Sequence, residues 1–76
     1  MERDSTMRRT LVASITVKDV GYEALSRRLQ VGFHSGRVYE YADVPSEVFY
    51  AFMDAASKGR FLHLRIRGRY RHQRIG

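Results

Sequence analysis

The groups able to do chemistry in this 76-residue chain are three histidines, eight carboxylates, fourteen lysines and arginines and five tyrosines, with no cysteine. His34 falls in a turn, and His63 and His72 stand nine residues apart, which is no ordinary metal-ligand spacing. Solvated histidines are the plainer reading. The serines lack a nucleophile context, the carboxylates are scattered, and no glycine-rich loop is built to cradle phosphate. A chain this short also has little volume for a buried cleft. No catalysis, metal or cofactor is expected.

Charge is the stronger signal. The net charge of +6 is unevenly placed, because residues 1–54 are nearly balanced while residues 55–76 carry no acid. That last stretch holds Lys58, Arg60, Arg65, Arg67, Arg69, Arg71 and Arg74, with Tyr70 among them as a possible stacking ring. Guanidinium groups grip phosphates bidentately and stack on bases, so a nucleic acid, above all RNA, or another polyanion is the expected partner. A merely solvated basic end is the alternative. Arg67 has a structural reading too, as an ion-pair partner of Asp43, Glu47 or Asp54. Tyr39 and Tyr41 could stack bases, or they could pack in the core with their hydroxyls at its rim.

The elements that position these groups follow from periodicity. Residues 1–10, polar and without period, read as a flexible N-terminus. Leu11–Val17 alternates as a half-buried strand, and Val20-Gly21-Tyr22 continues it past a kink, with Gly21 marking a bulge or a close backbone approach. Glu23–Arg27 reads as a connection.

A hairpin comes next. Leu29, Val31 and Phe33 alternate with polar or small residues, and Tyr39 and Tyr41 do so after a turn. A three-residue loop, His34-Ser35-Gly36, with Gly36 left-handed, pairs Phe33 with Arg37, Val31 with Tyr39 and Leu29 with Tyr41. That register gathers five apolar or aromatic groups on one face, and a one-residue slip would scatter them.

Pro45 suits the first position of a helix. Val48, Phe49, Phe52, Met53 and Ala56 then recur at helical spacing and should cover the apolar sheet face. Ser57-Lys58-Gly59 breaks the pattern and can cap a second helix. Residues 60–70 are ambiguous. LHLRIRGRYR alternates like a strand, yet Leu62, Ile66 and Tyr70 also form a helical stripe.

Taken together, VGYE (20–23), LQVGF (29–33), Gly36, Tyr39-Glu40-Tyr41, VPSEVF (44–49), the spaced Ala55, Ser57 and Gly59, then Ile66-Arg67 and Tyr70 resemble the KTSC domain. This small module is named for its occurrence at the C-terminus of some lysyl-tRNA synthetases and also stands alone in bacteria. Phe61-Leu62-His63 departs from the family's usual Tyr-Phe-Asn. The resemblance implies helix over residues 58–67, against the local period, and an RNA-binding role through its tRNA-synthetase context, with no established activity.

The expectation is therefore an α+β fold: a three-stranded antiparallel meander packed against one or two C-terminal helices. The domain spans 11–70, and residues 71–76 form a basic, flexible tail. The protein should be a monomer or weak dimer. With no apolar run of membrane length and no signal-peptide pattern, a cytoplasmic setting without membrane contact is expected. The runner-up function is a protein-interaction adaptor that uses the basic strip or an exposed strand edge.

Overall fold

The computed structural model describes residues 7–76, an α+β domain in which an antiparallel sheet carries two helices on one face. The sheet has five strands in sequential order: β1 (Thr10–Leu11), β2 (Val17–Glu23), β3 (Arg28–Phe33), β4 (Val38–Tyr41) and β5 (His72–Arg74). Helix α1 spans Ser46–Asp54, and α2 spans Lys58–Phe61 before widening into a π-type turn over Leu62–Ile66.

Two of these strands depart from the three-stranded expectation. The alternation from Leu11 to Val17 is not one strand, because the chain loops out between β1 and β2. Ser14 makes the break: its hydroxyl accepts the main-chain N–H groups of Thr16 (3.2 Å) and Val17 (3.1 Å), offering the backbone a partner other than a sheet neighbour. Ile15 is left 97% exposed. Val20, Gly21 and Tyr22 lie inside β2, whose pairing with β3 shifts register between Val17 and Asp19. The extra residue lets Val17 and Val20, three apart, both face the core. At Gly21 a Cβ would sit 2.6 Å from the Arg8 carbonyl oxygen, so the glycine admits the N-terminal segment across the sheet.

The second departure is at the other end. Residues 71–76 are not a loose tail, since His72–Arg74 adds to β4 as the outer strand. Ala42 N–H donates to the Arg71 carbonyl at 2.8 Å, and Ile75 N–H to the Val38 carbonyl at 2.8 Å. Main-chain bonding holds β5, and its three exposed polar residues give no apolar pattern to reveal it. Of the N-terminal stretch expected to be flexible, residues 1–6 lie outside the described residues. Arg9 is engaged, its guanidinium 2.8 Å from Gln30 Oε1 and 3.1 Å from Asp19. Gln30, buried on the outer sheet face, in turn donates to Glu40 at 3.0 Å.

The β3–β4 hairpin has the expected register, with Leu29 opposite Tyr41 and Val31 opposite Tyr39. Phe33 N–H donates to the Arg37 carbonyl at 2.9 Å, and Gly36 takes φ +99°, which a side chain would strain. Leu29, Val31 and Tyr41 are buried, while Phe33 and Tyr39 are half-buried at the rim.

Pro45 stands one residue before α1 as its N-cap rather than at the first helical position. Its carbonyl accepts Val48 N–H at 3.0 Å and starts the helix. Phe52 is fully buried and stacks on Phe61 at 5.6 Å, and Phe49 stacks on Tyr22 at 4.6 Å. Ala56 falls beyond the helix and is exposed. The Ser57 hydroxyl accepts Arg60 N–H at 3.2 Å and opens α2, so residues 58–66 are helical despite their two-residue alternation. Arg67 N–H reaches back five residues to the Leu62 carbonyl at 2.8 Å, and Leu62 and Ile66 drop into the core. Gly68, at φ +81°, then turns the chain towards β5.

Candidate nucleic-acid interface

Where β5 joins β4, the inner sheet face runs out beyond the helices and leaves a groove of about 290 Å³. Tyr39 and Tyr41 line it from β4, His72 from β5, Phe33 from the end of β3, and Arg37 and Arg67 from the flanking turns. Register builds this arrangement, since β5 sets His72 opposite Tyr41 and Arg74 opposite Tyr39. Three rings form a row: Phe33 meets Tyr39 edge-on at 5.9 Å, and Tyr39 meets His72 edge-on at 5.8 Å. His72 also lies 5.5 Å from the Tyr41 ring.

Electrostatics at the groove are one-sided. Among the described residues no carboxylate lines it, and Glu40 points to the other sheet face, held by Gln30 and, at 3.7 Å, by Arg28. Burial pushes the Tyr41 phenol above its ordinary value, the nearby Arg67 guanidinium opposes that shift, and Tyr39 adds to it. Tyr41 therefore forms a neutral floor beside a cation.

The other basic residues do not make one unbroken strip. Lys58 is drawn inward, its Nζ donating to the Ala55 carbonyl at 2.6 Å. With Arg60 it lines a second depression that meets the groove at Thr16. Arg65 is exposed and lies over the Phe61 ring at 5.4 Å. Arg69 is exposed on the turn after Gly68. Arg71 approaches Asp43 at 3.9 Å, with both side chains mostly in solvent, so the pair costs little to separate. Arg74 bends locally to the Gly76 carbonyl at 2.7 Å. Tyr70 packs half-buried against the core, which removes it as a free stacking ring.

Arg67 makes no ion pair with Asp43, Glu47 or Asp54, and its guanidinium lines the groove instead. Tyr41 is a core residue (2% exposed), whereas Tyr39 remains half-open beside His72. Arg37 and His72, with Thr16, Phe33 and Ser35, are groove residues that sequence reasoning did not assign to a site. Arg37 was legible only as the partner of Phe33 across the loop, and His72 needed a strand that its composition hides.

Among the described residues no three His, Asp or Glu side chains cluster as a metal site, and no helix is long and apolar enough to cross a membrane.

The family model for the KTSC domain matches residues 13–70. The chain belongs to the KTSC family. A crystal structure of a KTSC domain protein from Yersinia pestis superposes with a TM-score of 0.87 at 36% identity, covering 93% of this chain and 100% of that one. An uncharacterized protein of Stutzerimonas stutzeri is 36% identical over 70 residues, which is 91% of this chain and 99% of the relative. A lysine–tRNA ligase of Trichormus variabilis is 36% identical over 59 residues, 78% of this chain. The chain spans only 10% of that ligase's length. In this KTSC domain β5, with His72 and Arg74, lies beyond the matched residues.

Proposed function

We propose that this KTSC domain is a non-catalytic nucleic-acid-binding module whose ligand is single-stranded RNA. The observation that carries the reading is the pairing of Arg67 with half-open rings at a groove that no acid among the described residues lines. Arg65, Arg69, Arg71 and Arg74 lie exposed in the same C-terminal third and extend the positive surface. Grip comes from phosphates, so sequence preference is weak. Supporting context comes from the related stretch within lysine–tRNA ligases, proteins named for joining lysine to tRNA. A cytoplasmic setting suits such a ligand.

If about four phosphates are neutralised, affinity for a single strand falls with a log–log salt slope near −3. That is a loss of about 50-fold between 50 and 200 mM salt. Filter binding of single-stranded RNA across that range tests it. No affinity at low salt, or affinity indifferent to salt, refutes the reading. One observation favours a protein adaptor instead: β5 is an exposed sheet edge able to accept a partner's strand. A stoichiometric protein band on purification, without nucleic acid, would mark that outcome.

A further inference from the structure

We infer that the groove is a single-nucleotide site: it seats one unpaired nucleotide of the bound strand, with the base against Tyr39 and His72 and the phosphate between Arg37 and Arg67. This rests on the RNA reading above and narrows it to one place and one unit of the ligand.

The lining chooses among ligand classes. An apolar peptide would use the rings but would leave two guanidiniums without partners. A bare polyanion such as polyphosphate would use the arginines, and at most the Tyr39 hydroxyl and a His72 ring N–H as further donors, but would leave the ring faces of Phe33, Tyr39 and His72 without a partner. A nucleotide is the unit that needs both, a flat π-face and an adjacent anion. The volume of about 290 Å³ falls just below the roughly 300–1,000 Å³ usual for ligand sites and suits one base with its sugar rather than a stacked run.

Charge points the same way. Arg37 comes from the β3–β4 turn and Arg67 from the end of the π-type turn, about thirty residues apart in sequence, yet both line one groove. Neither forms an ion pair with a carboxylate of the described residues. Two guanidiniums at one concavity with no described carboxylate in its lining concentrate positive potential, which a phosphate relieves through charge-assisted hydrogen bonds. The ring row is also supported: Tyr39 is held edge-on from both sides, so little ordering remains to be done when a base arrives.

The test is fluorescence anisotropy with end-labelled hexauridylate and with a hexamer of equal charge whose central positions lack bases. Each is measured against the parent protein and the variants Tyr39→Leu, His72→Ala and Arg37→Gln. Amide spectra confirm folding, and His72 and Arg37 are exposed, so at least two variants keep the fold. Loss of one base–aromatic contact should weaken hexauridylate binding about five- to 150-fold. The base-lacking hexamer should bind weakly to the parent and show no further loss with Tyr39→Leu. If the parent binds hexauridylate and all three variants match it, the groove assignment is overturned while RNA binding stands. If the parent binds neither hexamer at low salt, the RNA reading itself falls, and the site with it. Saturation of the groove by uridine monophosphate that hexauridylate fails to displace would assign it to free nucleotides and overturn the strand as its source.

Discussion

Phe52 is the residue whose loss the fold should feel most. It is fully buried, lies in the cluster of Leu29, Val31, Leu62 and Ile66, and stacks on Phe61 at 5.6 Å. Truncating a buried phenylalanine to alanine costs about 3–5 kcal/mol through lost transfer energy and the cavity left behind. A domain of 76 residues has a total stability of roughly 4–11 kcal/mol at 0.05–0.15 kcal/mol per residue. Phe52→Ala should therefore remove about a quarter or more of the whole and lower Tm on the order of 20 °C. Phe52→Asp, which buries a charge in the same place, should not fold. Tyr50→Ala, at a site 65% exposed on the same helix, should change stability by less than about 0.5 kcal/mol. Urea titration followed by circular dichroism reads all three. A Phe52→Ala midpoint equal to that of Tyr50→Ala, or a native-like amide spectrum for Phe52→Asp, would refute the packing described here.

Other outcomes follow from single contacts. Tyr22→Phe removes the hydroxyl that donates to the Val44 carbonyl at 2.6 Å while keeping the stack on Phe49. It should cost about 1 kcal/mol in a urea titration, and no change would show that solvent satisfies that carbonyl. Burial raises the Tyr41 phenol above its ordinary 10.0, so the folded state holds that proton more tightly than the unfolded chain. The contribution is complete below about pH 10 and is lost as pH rises through the ordinary value towards the raised one. Stability should fall more steeply there in the parent than in Tyr41→Phe, and identical pH profiles would contradict the shift. Replacing Arg65, Arg69 and Arg71 together with glutamate should abolish RNA binding in the filter assay and leave the amide spectrum native-like, because all three side chains are exposed.

The parts of the fold readable in the sequence are those with a strong apolar pattern. Leu29, Val31, Tyr39 and Tyr41 allow one register that puts them on one face, and Gly36 names the turn that produces it. Pro45 and the Phe49–Phe52–Met53 spacing announce α1, although the proline caps the helix rather than opening it. The edges were not readable. Ser14 diverts the chain through two hydrogen bonds that no periodicity records, and β5 is joined through main-chain groups that are the same for every sequence. The helix over residues 58–66 was hidden by its own alternation, and family resemblance exposed it where period did not. For the interface, composition pointed to the right end of the chain but not to its geometry. Arg67 and Tyr39, from the end of the π-type turn and from β4, line one groove that β5 closes with His72, and Arg37 enters from the balanced half of the charge distribution.

The most direct measurement is an amide-resolved NMR titration of the ¹⁵N-labelled domain with a short single-stranded RNA at low salt. The account predicts shifts gathered at Phe33–Tyr41 and Arg65–Arg74, with Tyr39, Arg67 and His72 among the largest, and α1 silent. Shifts centred on the exposed side of α1 around Tyr50, or a spectrum unmoved at saturating RNA, would contradict it.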